Sequence, residues 1–166
     1  RVGAAFFNYA QIRRSSYMFI FQSPLAEAIV PHDDWAFIRG LWNDWSPGYT
    51  NDDDVAHFIA SVEGPGHLSA ALGYYRAAIG DGPRDEADLE WDLAGGQIPP
   101  QPTLYLHGRN DGCIGVEVAD GIDAELSEGS RYVVVDDAGH FLHLEQPAVV
   151  NNEILDFVGA APESGL

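Results

Sequence analysis

Pro102-Thr103-Leu104-Tyr105-Leu106-His107-Gly108-Arg109-Asn110-Asp111 decides the fold once it is set beside Val133-Val134-Val135-Asp136-Asp137-Ala138-Gly139-His140. Each stretch is a short apolar run that enters a Gly-containing turn, the pattern of a buried strand. The first turn ends on a carboxylate and the second on an imidazole. The intervening segment predicts one helix, over roughly 116–126, so the unit reads strand–helix–strand with strands at 103–107 and 131–136. A connection of that length makes the two strands parallel. Parallel strands deliver their C-terminal ends to one edge of the sheet, where open α/β sheets bind ligands. Asp111 and His140 are therefore expected to meet, and an acid oriented against a histidine is two thirds of a nucleophile–His–acid triad.

Outward from this unit, Pro147 stands at a natural first helical position, and Val150, Ile154 and Phe157 predict a terminal amphipathic helix over the sheet. Upstream the pattern turns helical. Residues 1–12 are apolar and aromatic without clear caps and read as a segment crossing between two layers. Residues 13–30 carry a helical signal, with Tyr17 and Phe21 on one face and Pro24 starting a new turn. Asp33 or Asp34 is expected to cap a helix whose Trp35, Ile38, Trp42 and Trp45 form an aromatic stripe that stops at Ser46-Pro47-Gly48. Thr50 or Asn51 should cap the next helix, which carries Asp52, Asp53 and Asp54 in its first turn. Gly64-Pro65-Gly66 ends that helix. A further one, from His67 to Ile79, presents Leu68, Leu72, Tyr75 and Ile79 on one side. Residues 80–98 are Gly- and acid-rich and read as a linker, and Pro99-Pro100 marks the entry to the sheet part. No internal repeat is visible.

The chain has 166 residues, with Lys+Arg 8 against Asp+Glu 26 and a formal net charge of −18. Such an acidic surface repels phosphate backbones and anionic lipid, so neither nucleic acid nor membrane is an expected partner. No apolar run is long enough to span a bilayer, which predicts a soluble protein. Cys113 is the only cysteine, which rules out an internal disulfide and fits a reducing, cytoplasmic setting. It reads as a small, semi-buried packing residue, because no base stands at a characteristic spacing from it. His32, His57, His67, His107 and His143 lack ligand spacing and read as surface or structural, so neither a metal nor a cofactor is implied. The first residue is Arg1 rather than Met, and two strands are too few for a doubly wound sheet. Both points predict that something is missing upstream.

On these motifs the chain resembles the α/β-hydrolase superfamily, and within it the second half of an epoxide-hydrolase-like member. The resemblance implies an α/β fold: the last two parallel strands of the hydrolase core with flanking helices, at 99–166, preceded by an all-helical cap with its linker, at 1–98. It implies that Asp111 is the triad acid and that His140, in Ala138-Gly139-His140-Phe141 with Glu145-Gln146-Pro147 after it, is the base. Tyr17, four residues before Phe21-Gln22, and Tyr75, immediately before Arg76, resemble the two cap tyrosines that hold the epoxide oxygen. Tyr74 replaces Tyr75 if the register slips by one. The nucleophile elbow and oxyanion loop lie before the cap in this family, and no Gly-x-Ser-x-Gly or His-Asp-Trp-Gly-like elbow occurs here. The expected partner is therefore the missing N-terminal half of the hydrolase core, and the expected ligand a small apolar organic substrate.

The chemistry fits these residue types. Epoxide opening needs a nucleophile behind the carbon and a donor on the departing oxygen, and a phenol with a pKa of about 10 donates while staying neutral. The resulting ester needs an activated water, which a histidine held by a carboxylate supplies. Both tyrosine hydroxyls should then face the same cavity. Two alternatives remain: another chemistry on this scaffold (a dehalogenase with an Asp nucleophile or an esterase with Ser), or a truncated, non-catalytic remnant.

Overall fold

The computed structural model describes residues 7–80, 85 and 97–159. The crossing segment expected at the start is thus seen only from residue 7, and most of the 80–98 linker lies outside the described residues. Among the described residues six helices come first: α1 (Tyr9–Arg14), α2 (Ser16–Phe21), α3 (Ala26–Ile29), α4 (His32–Trp45), α5 (Asp52–Val62) and α6 (His67–Ile79). The sheet part follows, with β1 (Leu104–Gly108), β2 (Arg131–Val135), the single turn α7 (Leu142–Glu145) and α8 (Pro147–Gly159). The two strands pair in parallel, with Leu104 opposite Arg131 and Gly108 opposite Val135. Their C-terminal ends therefore stand side by side, and all chemistry-bearing turns leave from that edge.

Several local expectations are corrected. The connection between the strands holds two short 3-10 turns, Val116–Ala119 and Ile122–Ala124, and not one helix. Asp120 at ψ 120 and Gly121 at φ 79 break helical geometry in the middle of the segment. The crossover is still long enough for parallel pairing, and Val118, Ala119 and Ile122 remain buried. A cap exists within the first dozen residues: the Asn8 side chain accepts from the Gln11 amide at 2.8 Å and starts α1. In α4, Asp33, Asp34 and Trp35 adopt left-handed geometry (φ 52, 52 and 59) and the right-handed helix runs on from there. Asp34 pairs with Arg39 at 3.3 Å. Asn51 occupies the N-cap position of α5, but its side chain donates to Asn43 Oδ1 at 3.2 Å instead of capping.

The core lies between the helices. Trp35, Ile38 and Trp42 of α4 are buried with Val55, Ile59 and Val62 of α5 and Leu72 of α6, the faces that the apolar spacing marks out. Tyr17 and Phe21 of α2 meet Tyr75 of α6 in edge-on contacts, with ring centroids 5.7 and 4.8 Å apart. Arg76 locks this junction. Its guanidinium donates twice to Glu27 (2.7 and 2.9 Å) and once to the Phe21 carbonyl (3.1 Å). In α8 only Val150 is buried, whereas Ile154 keeps 43% of its surface exposed, so that helix covers the sheet with less of its apolar face than its spacing suggests.

Burial separates two leucine-class positions sharply. Leu72 is 2% exposed, and Leu72→Ala should cost about 2–5 kcal/mol in a urea titration followed by circular dichroism. Ile154→Ala, at a half-open site, should stay within about 1 kcal/mol. Equal losses at both positions would contradict the assignment of the core.

Candidate active site

β1 and β2 each run into a turn, and the two turns are stitched together. The Arg109 amide donates to the Val135 carbonyl (2.9 Å) and the Asn110 amide to the Ala138 carbonyl (2.8 Å), extending the ladder past the strands. This approach needs glycine: a Cβ on Gly108 would lie 2.0 Å from the Gly139 carbonyl oxygen. Asp137 turns the second loop at φ 54, a left-handed position that a short polar side chain tolerates.

Asp111 is buried, and its carboxylate is oriented by its own loop. Oδ1 accepts the amides of Cys113 (2.7 Å) and Ile114 (2.8 Å), which leaves Oδ2 for His140 Nδ1 at 3.0 Å. With Nδ1 committed to the carboxylate, Nε2 is the imidazole nitrogen left for other chemistry. Burial lowers the affinity of His140 for a proton, but the hydrogen bond to Asp111 and the neighbouring Cys113 outweigh it and raise the pKa to about 10. The pair expected from the two strand–turn stretches is thus one hydrogen-bonded unit.

The two tyrosines stand side by side, with ring centroids 5.7 Å apart. Tyr17 is buried with its hydroxyl 3.6 Å from Cys113 Sγ, and Tyr75 is half-buried beside it. Burial, reinforced by Cys113, holds the Tyr17 phenol well above its usual range. Burial also raises Tyr75, opposed by its hydrogen bond with Tyr17. Both therefore keep their protons at neutral pH and remain donors. Tyr75 lines an apolar cavity of about 190 Å³, together with Trp42, Trp45, Phe58, Leu72 and Phe141. Tyr17 is not in that lining, because α2 packs against the Asp111 loop and turns its phenol to Cys113. Tyr74 is 82% exposed and is not in that lining. The Trp45 ring meets both the Tyr17 and the His140 rings edge-on, with centroids 5.0 and 5.3 Å apart.

Sequence reading passes over several neighbours of the pair. His107 is buried, with Nδ1 2.9 Å from the Tyr105 hydroxyl, Nε2 2.9 Å from the Ile114 carbonyl and the same Nε2 3.5 Å from Asp111 Oδ2. Its place four residues before Asp111 on the same strand–turn was the available signal. Cys113 is fully inside the site rather than semi-buried. Gln11, 0% exposed, donates to the Cys113 carbonyl (2.8 Å) and accepts from the Gly115 amide (3.0 Å), and nothing in the pattern of α1 announces it. Among the described residues no group of three or more His, Cys, Asp or Glu is placed to hold a metal, and no helix is long and apolar enough to cross a membrane.

The raised His140 pKa has a definite sign for stability. The contribution of the charged imidazole is complete below the unfolded value of about 6.5 and fades as pH rises towards about 10. Proton-detected NMR of the His140 ring should show a midpoint near 10, and Asp111→Asn should bring it to about 6.5 or below because burial then acts with less opposition. A midpoint near 6.5 in the unsubstituted chain would contradict the pairing.

No protein-family model matches the chain. In sequence it is similar to epoxide hydrolase 4 of Homo sapiens, 27% identical over 156 residues that cover 90% of this chain and 40% of the relative. It is also similar to the AB hydrolase superfamily protein YfhM of Bacillus subtilis, 25% identical over 147 residues covering 87% of this chain and 48% of that protein. In structure it superposes on the Bacillus megaterium epoxide hydrolase in complex with an inhibitor with a TM-score of 0.69 at 23% identity, covering 95% of this chain and 56% of that one. An epoxide hydrolase from metagenomes of hot environments gives a TM-score of 0.65 at 23% identity, covering 95% and 54%. The chain thus spans less than half the length of these curated relatives and a little over half of the solved structures. Over that span it has the fold of the C-terminal part of an α/β-hydrolase, and its sequence is similar to those of epoxide hydrolases.

Proposed function

We propose that this chain is the cap and C-terminal part of an epoxide-hydrolase-like enzyme, with residues 1–98 as cap and linker and 99–166 as the end of the core. The observation that carries the reading is the Asp111–His140 pair at 3.0 Å, with the Tyr17 and Tyr75 rings side by side and Trp45 in contact with both Tyr17 and His140. In this reading a nucleophile outside the 166 residues attacks an epoxide carbon. The C–O bond breaks, and the departing oxygen takes a hydrogen bond and then a proton from Tyr75, assisted by Tyr17. Where the nucleophile is a carboxylate, the new bond is an ester; His140 then removes a proton from water, the hydroxide cleaves that ester to release the diol and the free carboxylate, Asp111 stabilises the imidazolium, and its proton finally returns to the Tyr75 phenolate. Since His140 holds its proton to about pH 10, its base form grows towards alkaline pH.

The cavity supports a substrate class. At about 190 Å³ it is somewhat larger than the roughly 150 Å³ apolar cavity that accepts a benzene ring. Aromatic and aliphatic walls with Tyr75 as the polar group suit an epoxide bearing one small apolar substituent, such as a phenyl.

Binding tests this without requiring turnover. Titrated against the tryptophan fluorescence of the purified chain, styrene oxide should bind about 5–10-fold more tightly than ethylbenzene, the value of one hydrogen bond of about 1–1.4 kcal/mol. Tyr75→Phe should erase the difference. Equal affinity for the two ligands, or a difference untouched by Tyr75→Phe, would contradict the role of the phenol. The chain itself should turn over no epoxide, and hydrolysis abolished by His140→Ala would overturn the claim that the attacking group lies elsewhere.

A further inference from the structure

Glu145, in the Glu145-Gln146-Pro147 stretch after His140, has no part in the chemistry above, yet its carboxylate is fully engaged. Oε2 accepts the Gly139 amide at 2.8 Å. Oε1 accepts the Phe141 amide at 3.1 Å and the Ser46 hydroxyl at 2.7 Å. The Ser46 oxygen, on a residue 0% exposed, lies 3.2 Å from the same Phe141 amide. The amide between them, that of His140, goes to the Trp45 carbonyl at 3.1 Å. Three successive amides, 139 to 141, are thus held by one carboxylate and one carbonyl at the end of α4. The approach is tight: a Cβ on Gly139 would lie 2.6 Å from Ser46 Cα and 2.7 Å from the Trp45 carbonyl oxygen.

We infer that Glu145 and Ser46 are positioning residues that set the orientation of the His140 imidazole towards Asp111 by bracketing its backbone on both sides. The proposal rests on the acid–base reading of that pair. A carboxylate that accepts two amides and a hydroxyl has its lone pairs directed at those donors, so it is not placed to act as an acid or base on the imidazole. Charge-assisted bonds of this kind are short and directional, and they leave the loop few ways to turn the ring. A displacement of about 1 Å in such a pair is enough to lose catalytic geometry. Phe141 adds a side-chain anchor, stacked on Trp42 with centroids 3.9 Å apart.

Glu145→Gln preserves shape but presents one acceptor oxygen and one NH₂ where two amides need acceptors, so one side of the bracket must open. NMR of the His140 ring in the purified chain reads the consequence directly. In Glu145→Gln the His140 midpoint should fall by about one unit, a tenfold loss of the interaction with Asp111, and the downfield Nδ1–H signal of the hydrogen-bonded pair should weaken. Circular dichroism should show the helices retained, and the His107 ring signals should not move. Ser46→Ala removes one donor and leaves the carboxylate on its two amides, so the same changes should appear at smaller size; it also serves if Glu145→Gln fails to fold. A folded variant of either kind with His140 unchanged in midpoint and Nδ1–H signal would overturn the proposal. Because the readout is the imidazole itself, a failure of epoxide binding would count against the proposed function and not against the clasp.

Discussion

One carbonyl carries much of this structure. The Trp45 oxygen, at the end of α4, accepts the amide of Gly112 at 3.0 Å and that of His140 at 3.1 Å. A carbonyl has two lone pairs, and here each serves a different loop, one just past the acid and one at the base. The end of a helix also carries partial negative charge, so it receives amide donors well. Neither loop could come so close with a side chain in the way: a Cβ on Gly112 would sit 1.9 Å from the Asp44 carbonyl oxygen. The helical part and the sheet part therefore meet at the point where acid and base must be brought into register.

Two side-chain fastenings complete that meeting, one for each loop. Buried Gln11 holds the Cys113–Gly115 backbone from α1, and Glu145 with Ser46 holds the 139–141 backbone. Between them Asp111 spends one oxygen on its own loop and the other on His140, so its direction does not depend on the imidazole it supports. The rings of Tyr17, Trp45, Phe141 and Tyr75 pack beside the same region, and the low polarity they bring strengthens the buried part of its charge interactions. The scaffold is stiff where proton transfer needs it, and apolar where an organic substituent would lie.

What could be read in the sequence follows from what periodicity and turn chemistry encode. The two strand–turn stretches spell out strand, parallel pairing and the arrival of Asp111 and His140 at one edge, since all three follow from spacing and from the two glycines. The tryptophan stripe of α4 likewise shows its buried face. The 3-10 turns between the strands were not legible, because Val118, Ile122 and Leu126 fall four residues apart, a helical spacing, while Asp120 and Gly121 break the backbone beneath it. The clamps were hidden for another reason. Gln11, Ser46 and Glu145 act across about a hundred positions of chain, and polar residues at helix ends look alike until the fold shows which amides they face. Helical spacing likewise gives the face on which Tyr17 stands but not its neighbour there, the Cys113 thiol.

The shared carbonyl is open to direct observation. Scalar couplings across hydrogen bonds connect an acceptor carbonyl carbon to the donor amide nitrogen, so ¹³C,¹⁵N-labelled chain reports each bond separately. The account predicts couplings from the Trp45 carbonyl carbon to both the Gly112 and the His140 nitrogens, with both amides slow to exchange with solvent. Absence of either coupling, with rapid exchange at that amide, would show that the acid and base loops are not tied to one helix end, and the account would fail.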